Sequence, residues 1–285
     1  MKKRPVLIWT LSAVIYLVAV IGGYYGYVSV KGEKGPHMNH ASNKLSKNIT
    51  KDERDQHDGG HAGGHEEQHV NPTGPSEVTP KVSYQDQKIQ VHLTNKEGKP
   101  VSDLEVNHEK LMHLIVVSHD LKNYYHLHPE RVKDGEFALS YQLPSGSYKT
   151  FVDIKPRDLN YQVTAIPLQV GSQETHEHET LVLDTSFSKK IGNITVTLKP
   201  ETFKSKQSII LDFKVEGGKP EPYLGALGHV VILDEKAEKF VHVHPLSDDQ
   251  TKFETSFDEP GIYKIWGEFK VNGNVQAYPF VVEVK

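Results

Sequence analysis

The stretch MHLIVVSHDLKNYYHLHPE, residues 112–130, decides how this chain is to be read, because GHVVILDEKAEKFVHVHPL, residues 228–246, repeats its layout. In each, a histidine is followed thirteen residues later by His-x-His-Pro. The apolar runs HLIVV and HVVIL have strand length, and a short polar segment separates each from a second strand that carries the paired histidines. Working outward, QKIQVHLTNKEGKP (87–100) is answered by QSIILDFKVEGGKP (207–220), and SGSYKTFVDIKPRD (145–158) by PGIYKIWGEFKVNG (260–273). TAIPLQVG is likewise answered by YPFVVEVK near the end of each unit. A unit of roughly 90–100 residues therefore occurs twice.

Short β-rich segments at regular intervals, with turn residues between them, predict an all-β chain of two tandem immunoglobulin-like antiparallel β-sandwich domains. A small barrel is the alternative. No soluble amphipathic helix stands out, which argues against an α/β enzyme fold. The expected domains are residues 79–172 and 191–285, joined by a polar linker over 173–190.

The 285-residue chain has no cysteine, which excludes disulfides, thiolate metal sites and thiol nucleophiles. A formal charge of −4 with no basic stripe beyond the first few residues argues against a nucleic-acid partner. Residues 1–30 begin MKKR and continue as an apolar run without a charge before Lys31. That length suits a transmembrane signal anchor rather than a cleaved leader, and Tyr24, Tyr25 and Tyr27 suit an interfacial belt. The leading positive charges predict a cytoplasmic amino terminus, a single pass through the cell membrane and β-domains on the extracytoplasmic side.

Residues 31–78 lack hydrophobic periodicity and read as a disordered, His-rich tether. Within it His57, His61, His65 and His69 recur every fourth position, among glycines that disfavour a helix. Weak capture of divalent metal and a plain solubilising role are equally open there, as they are for His176 and His178.

Seventeen histidines are an unusual load. Residues two apart on a strand share a face, so His126 and His128 point the same way. A hairpin centred on Asp120 and Leu121 sets His113 across from His128. The same construction, with a turn at Lys236 and Ala237, sets His229 across from His244 and near His242. Two three-histidine sites are therefore expected, His113, His126 and His128 in one domain and His229, His242 and His244 in the other. Each suits a borderline ion such as Cu(II), Zn(II) or Ni(II), with a fourth position left over. Asp153 and Glu268 occupy matching strand positions, either as a fourth ligand or, preferably, as acceptors that orient an imidazole. The competing reading is that these histidines merely end strands and bond to loops. His108, without a counterpart in the second unit, is near enough in sequence to approach the first site; His92 and His119 read as surface residues.

The unit HEKLMHLIVVSHDLKNYYHLHPE followed by LPSGSYKTFVDIK resembles the YtkA-like family of exported bacterial domains and is more loosely similar to CopC-type copper-resistance proteins. The resemblance covers both repeats and implies β-sandwiches outside the cytoplasmic membrane with a connection to copper. The CopC-type site, which uses a free amino terminus, does not carry over to a chain anchored at that end. The expected function is thus a membrane-anchored, non-enzymatic metal-binding protein for buffering, storage or transfer, working with metal-transport or metal-resistance proteins. One alternative is an assembly protein using tandem immunoglobulin-like domains as spacers. Another is a cupin-like oxygenase, for which the carboxylate expected after His-x-His is missing, since residues 132 and 133 are Val and Lys.

Overall fold

A computed structural model describes residues 74–172, 180–199 and 203–285, which lie within one compact unit formed by residues 66–285. The expected anchor and nearly all of the tether, including His57, His61, His65 and His69, lie outside the described residues, as do His176 and His178. Among the described residues no helix is long and apolar enough to cross a membrane.

The first copy contains β1 (Val78–Gln85), β2 (Lys88–Asn95), β3 (Leu104–Glu105), β4 (His113–Ser118), β5 (Tyr124–Leu127), β6 (Glu130–Lys133), β7 (Glu136–Ser140), β8 (Gly146–Asp153), β9 (Lys155–Pro156) and β10 (Ile166–Val170). They form two antiparallel sheets, β1-β2-β7-β6 and β10-β8-β4-β5, with β3 and β9 paired at the side. The second copy contains β11 (Ser188–Ile191), β12 (Ile194–Lys199), β13 (Ser208–Glu216), β14 (Pro220–Glu221), β15 (His229–Asp234), β16 (Phe240–Pro245), β17 (Lys252–Ser256), β18 (Gly261–Val271) and β19 (Asn274–Val284). Its order β12-β13-β17 answers β1-β2-β7, and β19-β18-β15-β16 answers β10-β8-β4-β5. The copies also depart from each other. β11 adds a strand beside β12, across the expected linker boundary, and β16 pairs with β17 through His244↔Glu254, which joins the two sheets at one edge. Both copies are immunoglobulin-like sandwiches.

Each sandwich has its own core. Val91, Phe137, Leu114, Val116 and Val152 fill the first, and Val196, Phe213, Val230, Ile232 and Phe280 the second. One position is packed by opposite choices. Met112 is buried in the first core, whereas Gly228 in the second faces Phe269; a Cβ on Gly228 would lie 2.5 Å from the Phe269 ring. A small residue opposite a large one keeps the volume filled.

The strands β4 and β15 explain how the copies are joined. All five residues from His113 to Val117, and likewise from His229 to Leu233, are buried, without the alternation of a half-exposed strand. Leu114 and Val116 point into the first core. Ile115 and Val117 point the other way, into a third apolar cluster with Leu121, Phe151, Val231, Leu233, Ala237 and Trp266. Those eight residues are four matched pairs from the two copies, so the interface is pseudo-symmetric. Its aromatic contacts are reciprocal too: Tyr124 stacks on Trp266 with centroids 5.0 Å apart, and Phe240 on Phe151 at 5.2 Å. Lys264 donates to the Leu121 carbonyl at 2.8 Å, and Lys149 to that of Lys236. The hairpin tips take part through Leu121 and Ala237, both buried and both held at positive φ, 57° and 50°.

Two consequences are measurable. Trp266→Ala removes a fully buried interface side chain and should cost about 3–5 kcal/mol in denaturant unfolding. Gly228→Ala drives a methyl into Phe269 and should cost about 1–3 kcal/mol, whereas Met112→Leu in the first copy should stay below about 1.5 kcal/mol.

Candidate metal centre

The hairpin register fixes which side chains meet. β4 pairs with β5 through Leu114↔Leu127 and Ile115↔His126, which puts His113 level with His128 and centres the turn on Asp120 and Leu121. β15 and β16 pair through Val230↔Val243, the same frame with its turn at Lys236 and Ala237. On the other side of each central strand, His113 lies opposite Asp153 and His229 opposite Glu268. Because opposed residues share a face, His113, Ile115, Val117 and His126 all belong to the face of the first copy that packs on the second.

His113, His126 and His128 converge there. One ring nitrogen from each lies within 4.8 Å of the others, a spacing that could hold a metal ion. His113 Nδ1 is 2.9 Å from His126 Nε2 and 3.2 Å from His128 Nε2. Neighbouring nitrogen ligands at a bond length of about 2.0–2.1 Å sit about 3.3 Å apart in a tetrahedron and about 2.9 Å apart at right angles. The observed separations fall in that interval.

The outer nitrogens of His113 and His126 each have an acceptor of their own, which favours one tautomer of each neutral ring. His113 Nε2 donates to the Asn107 carbonyl at 2.9 Å. His126 Nδ1 donates to Glu268 Oε1 at 3.2 Å. With those two positions protonated, His113 Nδ1 and His126 Nε2 carry the inward lone pairs that a metal requires. His113 is fully buried and His128 half-buried, so the approach from solvent runs past His128.

The carbonyl that holds His113 comes from a tight turn in which His108 and Glu109 have positive φ, 46° and 63°, closed by paired bonds between Asn107 and Lys110. The second copy builds the same device. Leu224 and Gly225 have positive φ, Tyr223 and Ala226 close the turn, and His229 Nε2 donates to the Tyr223 carbonyl at 2.8 Å. His242 and His244 lie on β16, but their side chains are outside the described residues. His229 is buried like its counterpart.

The two carboxylates differ in burial. Glu268 is buried and touches His126 of the other copy, across the interface. Asp153 is half-buried beside His113 in register. His108 has its ring centroid 6.1 Å from that of His113 and 5.5 Å from that of His229, and the His126 and His229 rings are 5.8 Å apart. Histidines from both copies thus share one neighbourhood. His92 faces Glu136 at the surface, 3.4 Å away.

Two tyrosines complete the surroundings, and neither stood out in the sequence. Burial, with the nearby Glu268 charge adding to it, pushes the Tyr223 phenol up to about 12 and that of Tyr124 well above its ordinary value. Both phenols therefore stay neutral. The Tyr124 hydroxyl is buried without a hydrogen-bond partner among the described residues. The signal available in the sequence was Tyr124 itself, two residues before His126 and so on the same strand face.

No curated protein matches the chain. Among solved structures, it aligns over 74% of its length with the FN1–FN3 domains of chicken CNTN1, at 10% identity, 67% coverage of that chain and a TM-score of 0.21. It aligns over 72% with a two-domain fibronectin type III segment of chicken tenascin, at 11% identity, 97% coverage and a TM-score of 0.24. The Escherichia coli adhesin FdeC gives 74% of this chain, 64% of that one, 14% identity and a TM-score of 0.23. The fold is given by the strand pairing described above. Residues 73–173 and 189–285 both match the family described as Domain of unknown function (DUF8832), and through these two copies the chain belongs to that family.

Proposed function

We propose that the chain is a membrane-anchored, extracytoplasmic metal-binding protein that buffers, stores or hands on a transition metal, Cu(II) before Zn(II). The observation that carries this reading is the convergence of His113 Nδ1, His126 Nε2 and His128 Nε2 at ligand spacing, with the outer nitrogens of His113 and His126 already donating to Asn107 and Glu268. Three neutral imidazoles favour a borderline divalent ion. Met112 is buried in the first core, so the thioether nearest in sequence is engaged in packing. A fourth position is left for water or for a ligand passed from another protein. In this reading His229, with His242 and His244, makes the second site, and the tether histidines gather ions loosely ahead of both. The resemblance to exported YtkA-like and CopC-type domains points to the same compartment and to copper.

The reading is tested on the full chain with His57, His61, His65 and His69 replaced by Asn, loaded with Cu(II) or Zn(II) and dialysed. About two ions should remain per chain. His113→Ala should remove one of them, and His113→Ala combined with His229→Ala should remove both. Metal content of the wild-type β-region no higher than that of the double variant would end the proposal. Bound Cu(II) should also give a spin-resonance spectrum with nitrogen hyperfine structure, lost when His126→Ala is combined with His242→Ala.

A further inference from the structure

The site of the first copy is not completed by the first copy. His126 is oriented by Glu268, a residue of β18 in the second copy, at 3.2 Å. Glu268 stands directly opposite His229 on β15, and His229 is tied to the Tyr223 turn. That turn meets the equivalent turn of the first copy: a Cβ placed on Gly225 would lie 3.9 Å from the Glu109 side chain. The same two strands of the second copy supply Val231, Leu233 and Trp266 to the apolar interface. The metal-holding face and the face that joins the copies are thus one surface.

We propose that a metal ion bound by His113, His126 and His128 acts as a latch between the two copies, with Glu268 as the element through which the second copy is coupled to the ion. This rests on the metal-binding reading above and concerns how that site is regulated. The chemistry runs in both directions. A cation on His126 Nε2 makes its Nδ1–H a stronger donor, so the bond to Glu268 tightens when the ion is bound. The carboxylate, buried where the dielectric is low, in turn lowers the cost of adding positive charge to a site in which the His113 and His126 imidazoles are buried. Linkage then requires reciprocity: whatever factor the docked second copy adds to metal affinity, the metal adds to docking of the second copy. Glu268 is a positioning residue in this account, since it touches a ligand and not the ion. A partner that pried the copies apart would release the metal, and loss of the metal would weaken the docking of the copies.

The test uses the full chain with the tether histidines replaced and with His242→Ala and His244→Ala, so that only the first site remains, and Zn(II) alone as the probe in competition with a chromophoric chelator. Glu268→Gln keeps the volume and an acceptor oxygen but removes the charge, and should weaken Zn(II) binding about 10- to 100-fold. Amide hydrogen exchange, followed with and without Zn(II), should slow on β15 and β18 of the second copy as well as on β4 and β5. This second readout decides the matter if Glu268→Gln fails to fold. Zn(II) affinity unchanged in Glu268→Gln, or protection confined to the first copy, overturns the latch while leaving the metal-binding reading standing. Absence of Zn(II) binding before Glu268 is altered removes both.

Discussion

The constraint on which the rest depends is that the central strand of each copy is covered on both sides. One face of β4 and of β15 fills its own sandwich, and the other is pressed against the opposite copy. Apolar surface of that kind cannot be left to water without a large free-energy cost. Docking of the two sandwiches is therefore part of folding rather than an optional arrangement of beads on a string. The reciprocal stacks Tyr124–Trp266 and Phe240–Phe151 give the docking its direction, and the two lysine-to-carbonyl bonds fix its register.

Placing histidines on such a face has two effects. It takes the imidazoles out of bulk water, where protein groups rather than solvent must satisfy each ring nitrogen. It also makes the partners of those nitrogens come from wherever the buried surface ends, which for His126 is the other copy. The turn carbonyls of Asn107 and Tyr223 show the local half of this design and Glu268 the distant half. The positive-φ turns that deliver those carbonyls carry backbone strain at His108, Glu109 and Leu224. Their retention in both copies, with different side chains, indicates that the carbonyl position is what the turn provides.

Duplication followed by face-to-face docking also accounts for the asymmetries. Met112 and Gly228 pack the same place by opposite means, which shows that each core has readjusted independently. The carboxylates differ in the same way, a half-buried aspartate at 153 and a longer, buried glutamate at 268. Glu268, the longer and more buried of the two, contacts His126 of the first copy.

The sequence by itself determined the β-class, the duplication, the hairpin register and hence the meeting of His113 with His126 and His128. These follow from local rules: alternation along a strand, turn length, and a motif written twice. It did not reveal that the second copy supplies the acceptor for His126, because nothing in residues 113–128 encodes which surface will lie against them. The unbroken burial-prone runs HLIVV and HVVIL were the available sign that both faces are covered, yet a run of that kind does not name its partner. Only the tertiary structure decided that Glu268, which stands opposite His229 of its own copy, also reaches His126 of the other, and that His108, Tyr124 and Tyr223 surround the centre. The reason is physical: periodicity fixes the face on which a side chain sits, whereas docking of two buried faces fixes what it meets.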